Sequence, residues 1–168
     1  MTNETNKLEI LVVDDKAENI AAAKAALDGK ASLDIATNYD EAIKAIKEKS
    51  YAGAILDIEF PRNQGAVPAK LGLKLGKNLR NYAIPHIYLT GLTCSESHGG
   101  DHSRICLTEE IAESPWNGIQ ASKKSNPDTW LQAYKELNEF YPNIKEVYES
   151  KKRFKKAVGK NYQMKGGK

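Results

Sequence analysis

Short apolar runs that stop at a carboxylate or hydroxyl alternate along this chain with stretches whose apolar residues return every three or four positions. The runs "LEILVVDD", "SLDIAT", "AGAILDIEFP" and "IPHIYLTG", with the weaker "GIQASKK", read as strands. Between them, residues 16–28 carry Ile20, Ala23 and Leu27 at helical spacing before a stop at Gly29. "NYDEAIKAIKEK" predicts a helix capped by Asn38 or Asp40, with Ala42, Ile43 and Ile46 inward. Leu71, Leu75, Leu79 and Tyr82 mark a third helix. "NPDTWLQAYKELNEFY" marks another, with Pro127 near its start and Trp130, Tyr134, Leu137 and Tyr141 on one face. Strands alternating with helices of this length predict an α/β fold, a doubly wound parallel sheet with helices on both faces.

Composition narrows this picture. A chain of 168 residues with 40% apolar and 28% charged usage is ordinary globular material. No apolar stretch approaches the roughly 20 residues that span a bilayer, and "MTNETNK" has no signal-peptide core. The 2 cysteines do not make a disulfide framework, so the expected compartment is the cytoplasm. The net charge of +3 conceals a basic end: residues 151–168 hold lysines and one arginine but no acid, leaving the remainder net acidic.

In open parallel sheets, ligands bind beyond the carboxyl ends of the strands. Asp14, Asp15, Asp57, Thr90 and Lys123 all fall at predicted strand ends. Carboxylates gathered there need a cation to offset their repulsion, and their hard oxygens suit Mg²⁺, which accepts phosphate oxygens as further ligands. An aspartate in that setting can attack a phosphoryl group and become an acyl phosphate. Asp14 and Asp15 would hold the metal, Asp57 would attack, and Lys123 and Thr90 would grip phosphoryl oxygens. The plainer reading is helix capping and solvation at βα junctions. The coincidence of all five residue types favours the site.

These segments resemble the receiver domain of two-component response regulators, a flavodoxin-like fold. "ILVVDDKAEN" resembles the family's first strand and acid pair, with Asn19 in a place often held by asparagine in receivers of hybrid kinases. "NYDEAIKAIKEKSYAGAILDIEFP" resembles the second helix and third strand, "GLKLGKNLR" the third helix, "IPHIYLTG" the strand carrying the switch hydroxyl, and "SKKSNPDTWLQA" the lysine strand and last helix. The resemblance implies strand order 2-1-3-4-5 and Asp57 as phosphoacceptor. It implies Mg²⁺ on Asp14, Asp15, Asp57 and the Glu59 backbone carbonyl, and Thr90 as the switch. The family lysine is assigned to Lys123 rather than Lys124, since that places Pro127, Trp130 and Ala133 in register. It further implies a histidine kinase or phosphotransfer protein as phosphodonor, in a phosphorelay or two-component system, and a signalling protein rather than an enzyme.

The resemblance covers roughly residues 7–141; it places a receiver-like domain at 1–141, with insertions near 62–71 and 92–116, and leaves 142–168 as a C-terminal helix and basic tail. Gln120 stands where receivers carry a rotating aromatic, and Gly91 replaces the common alanine after the threonine. Within the second insertion, Cys94, His98, His102 and Cys106 recur every four residues. Two Cys and two His are a legitimate zinc set, but Gly99 and Gly100 argue against one helix presenting all four. A polar insertion that merely contains them is the reading preferred. In the tail, Ile144, Val147, Tyr148, Phe154 and Val158 form an interrupted apolar face opposite lysines. A helix docked on the domain or on an output protein is preferred there over contact with nucleic acid or an anionic membrane through 151–168. The rivals to phosphoacceptance are a receiver-like module that binds its partner without phosphate, and an aspartate-nucleophile phosphohydrolase. The adjacent acids of "VVDDK" lack the D-x-D loop of the hydrolase.

Overall fold

A computed structural model describes residues 7–91, 118–120 and 123–164. Its elements are β1 (Leu8–Val13), α1 (Ala17–Leu27), β2 (Ala31–Ala36), α2 (Tyr39–Glu48), β3 (Gly53–Leu56), α3 (Leu71–Asn81), β4 (His86–Thr90), β5 (Gly118–Gln120), α4 (Pro127–Phe140) and α5 (Ile144–Met164). The strands form one parallel sheet in the order β2-β1-β3-β4-β5. This is the α/β class that the alternation of periods predicts.

The alternation of side chains along each strand divides the core into two layers. Ile10, Val12, Ile55, Ile87 and Leu89 face α1 and α4, where they meet Leu27, Trp130, Ala133 and Leu137. Leu11, Val13, Ala54, Leu56 and Tyr88 face α2 and α3, against Ala42, Ile46, Leu75 and Leu79. Both faces of the central strands are therefore dry, which is why β1 and β3 read as continuous apolar runs.

Local chemistry sets the ends of the helices. Asn38 caps α2 by accepting the Glu41 N–H at 2.9 Å, while the Glu41 carboxylate reaches back to the Thr37 N–H at 2.8 Å. Asn126 accepts the Asp128 N–H at 3.0 Å, with Pro127 opening α4. Gly29, at φ 72°, follows α1 in the left-handed region that ends helices. Tyr82, expected on the inner face of α3, instead follows that helix and is exposed.

The insertion after Pro61 is tied at its base, where Phe60 and Ala69 exchange backbone hydrogen bonds at 3.2 and 3.1 Å. Among its described side chains, the helix α5 buries apolar residues in its first two turns. Ile144 and Tyr148 are buried in the α1/α4 layer, whereas Val147 and Phe154 of the expected apolar face are exposed. Lys151 donates to the Ala83 carbonyl, and Lys155 to Ser50 Oγ at 2.6 Å, so α5 runs along the edge where β3 and β4 begin.

Gly72 sets how closely α3 approaches the end of β3. A Cβ there would lie 2.2 Å from the Asp57 carbonyl oxygen and 2.6 Å from Ile58 Cα, both backbone atoms. Gly72→Ala is expected to lose about 3 kcal/mol of stability by overpacking, or about 10 °C in melting temperature for a chain of this size. A circular-dichroism melt checks this; a wild-type melting temperature would mean that α3 is free to retreat.

Candidate functional site

Because every strand of the sheet runs the same way, the residues that follow the strands share one rim. Val13 pairs with Leu56, which sets Asp14 level with Asp57 on the neighbouring strand. The Asp57 N–H donates to the Val13 carbonyl at 2.8 Å, and the Asp14 N–H to the Ala36 carbonyl at 3.2 Å. Leu56 pairs with Tyr88, so Thr90 closes β4 on the same rim, fully buried.

Three carboxylates meet there. Asp14, Asp15 and Asp57 each offer an oxygen, all within 4.8 Å of one another. Asp14 is fully buried and heavily satisfied. It accepts from the Lys16 N–H at 2.9 Å, from Asn19 Nδ2 at 3.0 and 3.1 Å, and from Lys124 Nζ at 2.7 Å. Asp57 accepts the Ile58 N–H at 2.7 Å on Oδ1, and its Oδ2 is ion-paired with the same Lys124 ammonium. Burial pushes the Asp57 carboxyl above its ordinary range. The Lys124 charge opposes that rise and the Asp14 charge adds to it.

Lys123, assigned to this role from the sequence, does not reach the rim. Its side chain is exposed, and its backbone carbonyl accepts the Asn126 N–H at 3.1 Å and Thr129 Oγ1 at 3.2 Å. The buried cation is Lys124. The indole of Trp130 donates to the Lys124 carbonyl at 2.6 Å, which fixes the turn so that the second lysine of the pair points inward. Asn19, which orients Asp14, is a second residue of the site that spacing alone did not single out. Its signal was its place one helical turn beyond the acid pair. Glu59 is half-buried in the turn two residues past Asp57. Cys94, His98, His102 and Cys106 lie outside the described residues, as do the whole 92–116 insertion and the end of the basic tail.

The donor set fits a divalent cation. Among the described residues, one ammonium stands against three carboxylates, leaving an excess of negative charge. Asp15 Oδ1 is buried and, among the described residues, has no hydrogen-bond partner. An orphaned carboxylate oxygen beside two others is the environment that hard cations such as Mg²⁺ occupy. Asp14, Asp15 and Asp57 would hold the ion, and it would supply neutralising charge for incoming anionic oxygens.

No family model and no curated protein matches the chain. Solved structures do. The chemotaxis response regulator CheY4 of Vibrio cholerae is 20% identical, with a TM-score of 0.56 over 79% of this chain and 99% of that one. A two-component response regulator from Clostridium difficile is 20% identical, with a TM-score of 0.59 over 83% and 99%. The response regulator TrrA from Thermotoga maritima, in complex with Mg(2+)-BeF, is 24% identical, with a TM-score of 0.53 over 77% and 98%. The chain has the receiver-domain fold.

The raised Asp57 pKa has a consequence for stability. The stabilisation that goes with its protonated form is complete below the unfolded value of 3.8 and is lost as pH rises through the higher folded value. In chelator at pH 7, Asp57→Asn is expected to melt a few degrees above wild type, with the gap closing in acid. Saturating Mg²⁺ is expected to raise the wild-type melting temperature and to leave Asp15→Asn unmoved. Melts against pH and Mg²⁺ check both; a less stable Asp57→Asn at pH 7 would contradict the burial argument.

Proposed function

We propose that the protein is a receiver that accepts a phosphoryl group on Asp57 in a Mg²⁺-dependent reaction. The donor would be a phosphohistidine on a histidine kinase or phosphotransfer protein, and the output a contact with another protein. The observation that carries this reading is the buried Lys124 ammonium shared by Asp14 and Asp57, with Asp15 alongside.

In this reading the Asp57 carboxylate attacks phosphorus in line with the donor imidazole. The P–N bond breaks, the imidazole leaves with the bonding pair, and an acyl phosphate forms. Burial makes Asp57 more basic than an exposed aspartate and so a better nucleophile. Lys124 lies in contact with the attacking carboxylate and is placed to stabilise negative charge on the transferring group. Thr90, at the end of β4, supplies a hydroxyl for a second phosphoryl oxygen. Asn19 and the Lys16 N–H hold Asp14 in place. A bound Mg²⁺ supplies the remaining positive charge. The protein is a cytoplasmic signalling acceptor of a phosphorelay rather than an enzyme, with slow self-dephosphorylation as its only turnover. A second reading, a receiver-like module that binds its partner without phosphate, draws on Gln120 in the place of the family's aromatic.

Incubation with acetyl phosphate and Mg²⁺ is expected to add one phosphoryl mass to wild type and none to Asp57→Asn or to wild type in EDTA. Lys124→Met is expected to slow the reaction on the order of 100-fold, the scale of a lost transition-state donor, while Lys123→Met reacts as wild type. Intact-protein mass spectrometry reads all five samples. A wild type that stays unmodified would leave the phosphate-independent module standing.

A further inference from the structure

At the edge of the sheet opposite Asp57, where β3 and β4 begin, a cavity of about 410 Å³ opens between α2, α3 and α5. Its walls are apolar and largely aromatic: Ile46, Tyr51, Tyr82, Ile84 and Phe154. Tyr82 and Phe154 are 44% and 70% exposed, a large aromatic area to leave in a concave site. Its volume falls in the range of about 300–1,000 Å³ typical of small-molecule pockets.

Ser50, Ser150 and three lysines, Lys49, Lys151 and Lys155, complete the lining, and the lysine charges are not equally compensated. Lys49 is paired with Glu9 at 2.8 Å and with Asp34 at 2.9 Å. Lys151 donates to the Ala83 carbonyl and Lys155 to Ser50 Oγ, both neutral groups. Among the described residues neither forms a salt bridge. Burial and the neighbouring Lys155 charge lower the Lys151 pKa, so a half-buried ammonium faces a like charge on exposed Lys155.

The geometry points to a binding site for a small aromatic anion, its ring against Tyr82 and Phe154 and its phosphate or carboxylate on Lys151 and Lys155. A purely apolar ligand would leave the two lysines uncompensated, and inorganic phosphate would leave the aromatic walls bare. A cavity of this volume suits a single small molecule better than the long track of a nucleic-acid backbone. The site is formed by residues remote from the Asp57 rim and does not rest on phosphoacceptance.

Anilinonaphthalene sulfonate, a fluorescent aromatic anion, is the probe. It is expected to bind the full chain at one saturable site. Lys151→Met with Lys155→Met should weaken it about 10-fold or more, the scale of lost charge-assisted contacts. Phe154→Ser, a change at an exposed position, should weaken it as well, while Asp57→Asn and Lys123→Met bind as wild type. Displacement by AMP identifies a mononucleotide as the ligand type, and displacement by naphthoate alone identifies an aromatic acid. Wild-type affinity in the double lysine variant, or no displacement by either competitor, would overturn the proposal. Far-UV circular dichroism confirms that each variant is folded.

Discussion

A single buried ammonium holds this rim together. Lys124 Nζ bridges Asp14 and Asp57, with its own side chain only 6% exposed. Taking three charges out of water is costly unless each is paired and the remaining lone pairs are satisfied. Asp14 meets that condition through Asn19 and the Lys16 N–H, and Asp57 through the Ile58 N–H. The bridge therefore does more than neutralise. It fastens the turn before α4 to the ends of β1 and β3, and the indole of Trp130 locks that turn from behind. Removing the ammonium would leave two buried carboxylates facing each other with no cation between them, which is worse than never having buried them.

The parallel sheet is what makes such a bridge attainable. Adjacent parallel strands end on one side, and helices returning outside the sheet deliver their amino termini to the same side. Asp14, held by the Lys16 N–H at the entrance to α1, uses that arrangement directly. Close packing then refines it. Gly72 lets α3 press against the backbone of Asp57 and Ile58, and Gly76 leaves room for the Tyr88 hydroxyl where a Cβ would sit 1.9 Å away. The positions of the acids are consequences of strand register, and the tightness of their surroundings is a consequence of glycines on α3.

Much of this was legible in the residues. The two periods separated strands from helices, and Asn38, Pro127 and Gly29 marked helix ends for reasons of hydrogen bonding and backbone geometry. Asp57 stood out because an apolar run ended on a carboxylate, and the rim follows once the strands are parallel. The lysine was not legible. Lys123 and Lys124 are adjacent, chemically identical and in a turn, so only the path of the backbone decides which enters, and that path is set by Trp130 reaching the Lys124 carbonyl. The face of α5 was readable only in part. Its apolar residues share a stripe, but α5 crosses an edge of the domain, so Ile144 and Tyr148 find the core while Val147 and Phe154 do not.

The two edges of the sheet gather different charged groups, which the chain's net value of +3 does not reveal. Among the described residues, the carboxyl edge gathers three acids, two of them paired with one ammonium. The amino edge receives α5, which places Lys151 and Lys155 near Lys49 beside Tyr82 and Phe154. An anion approaching the first edge meets a net negative field until a divalent cation lies among the carboxylates. An anion approaching the second meets ammoniums directly, with aromatic walls to take its apolar part. In the proposed function, chemistry at Asp57 would therefore need a cation, whereas the site inferred at the opposite edge would need none. The length of the strands separates the two edges, and the acids at one share no residue with the cavity at the other.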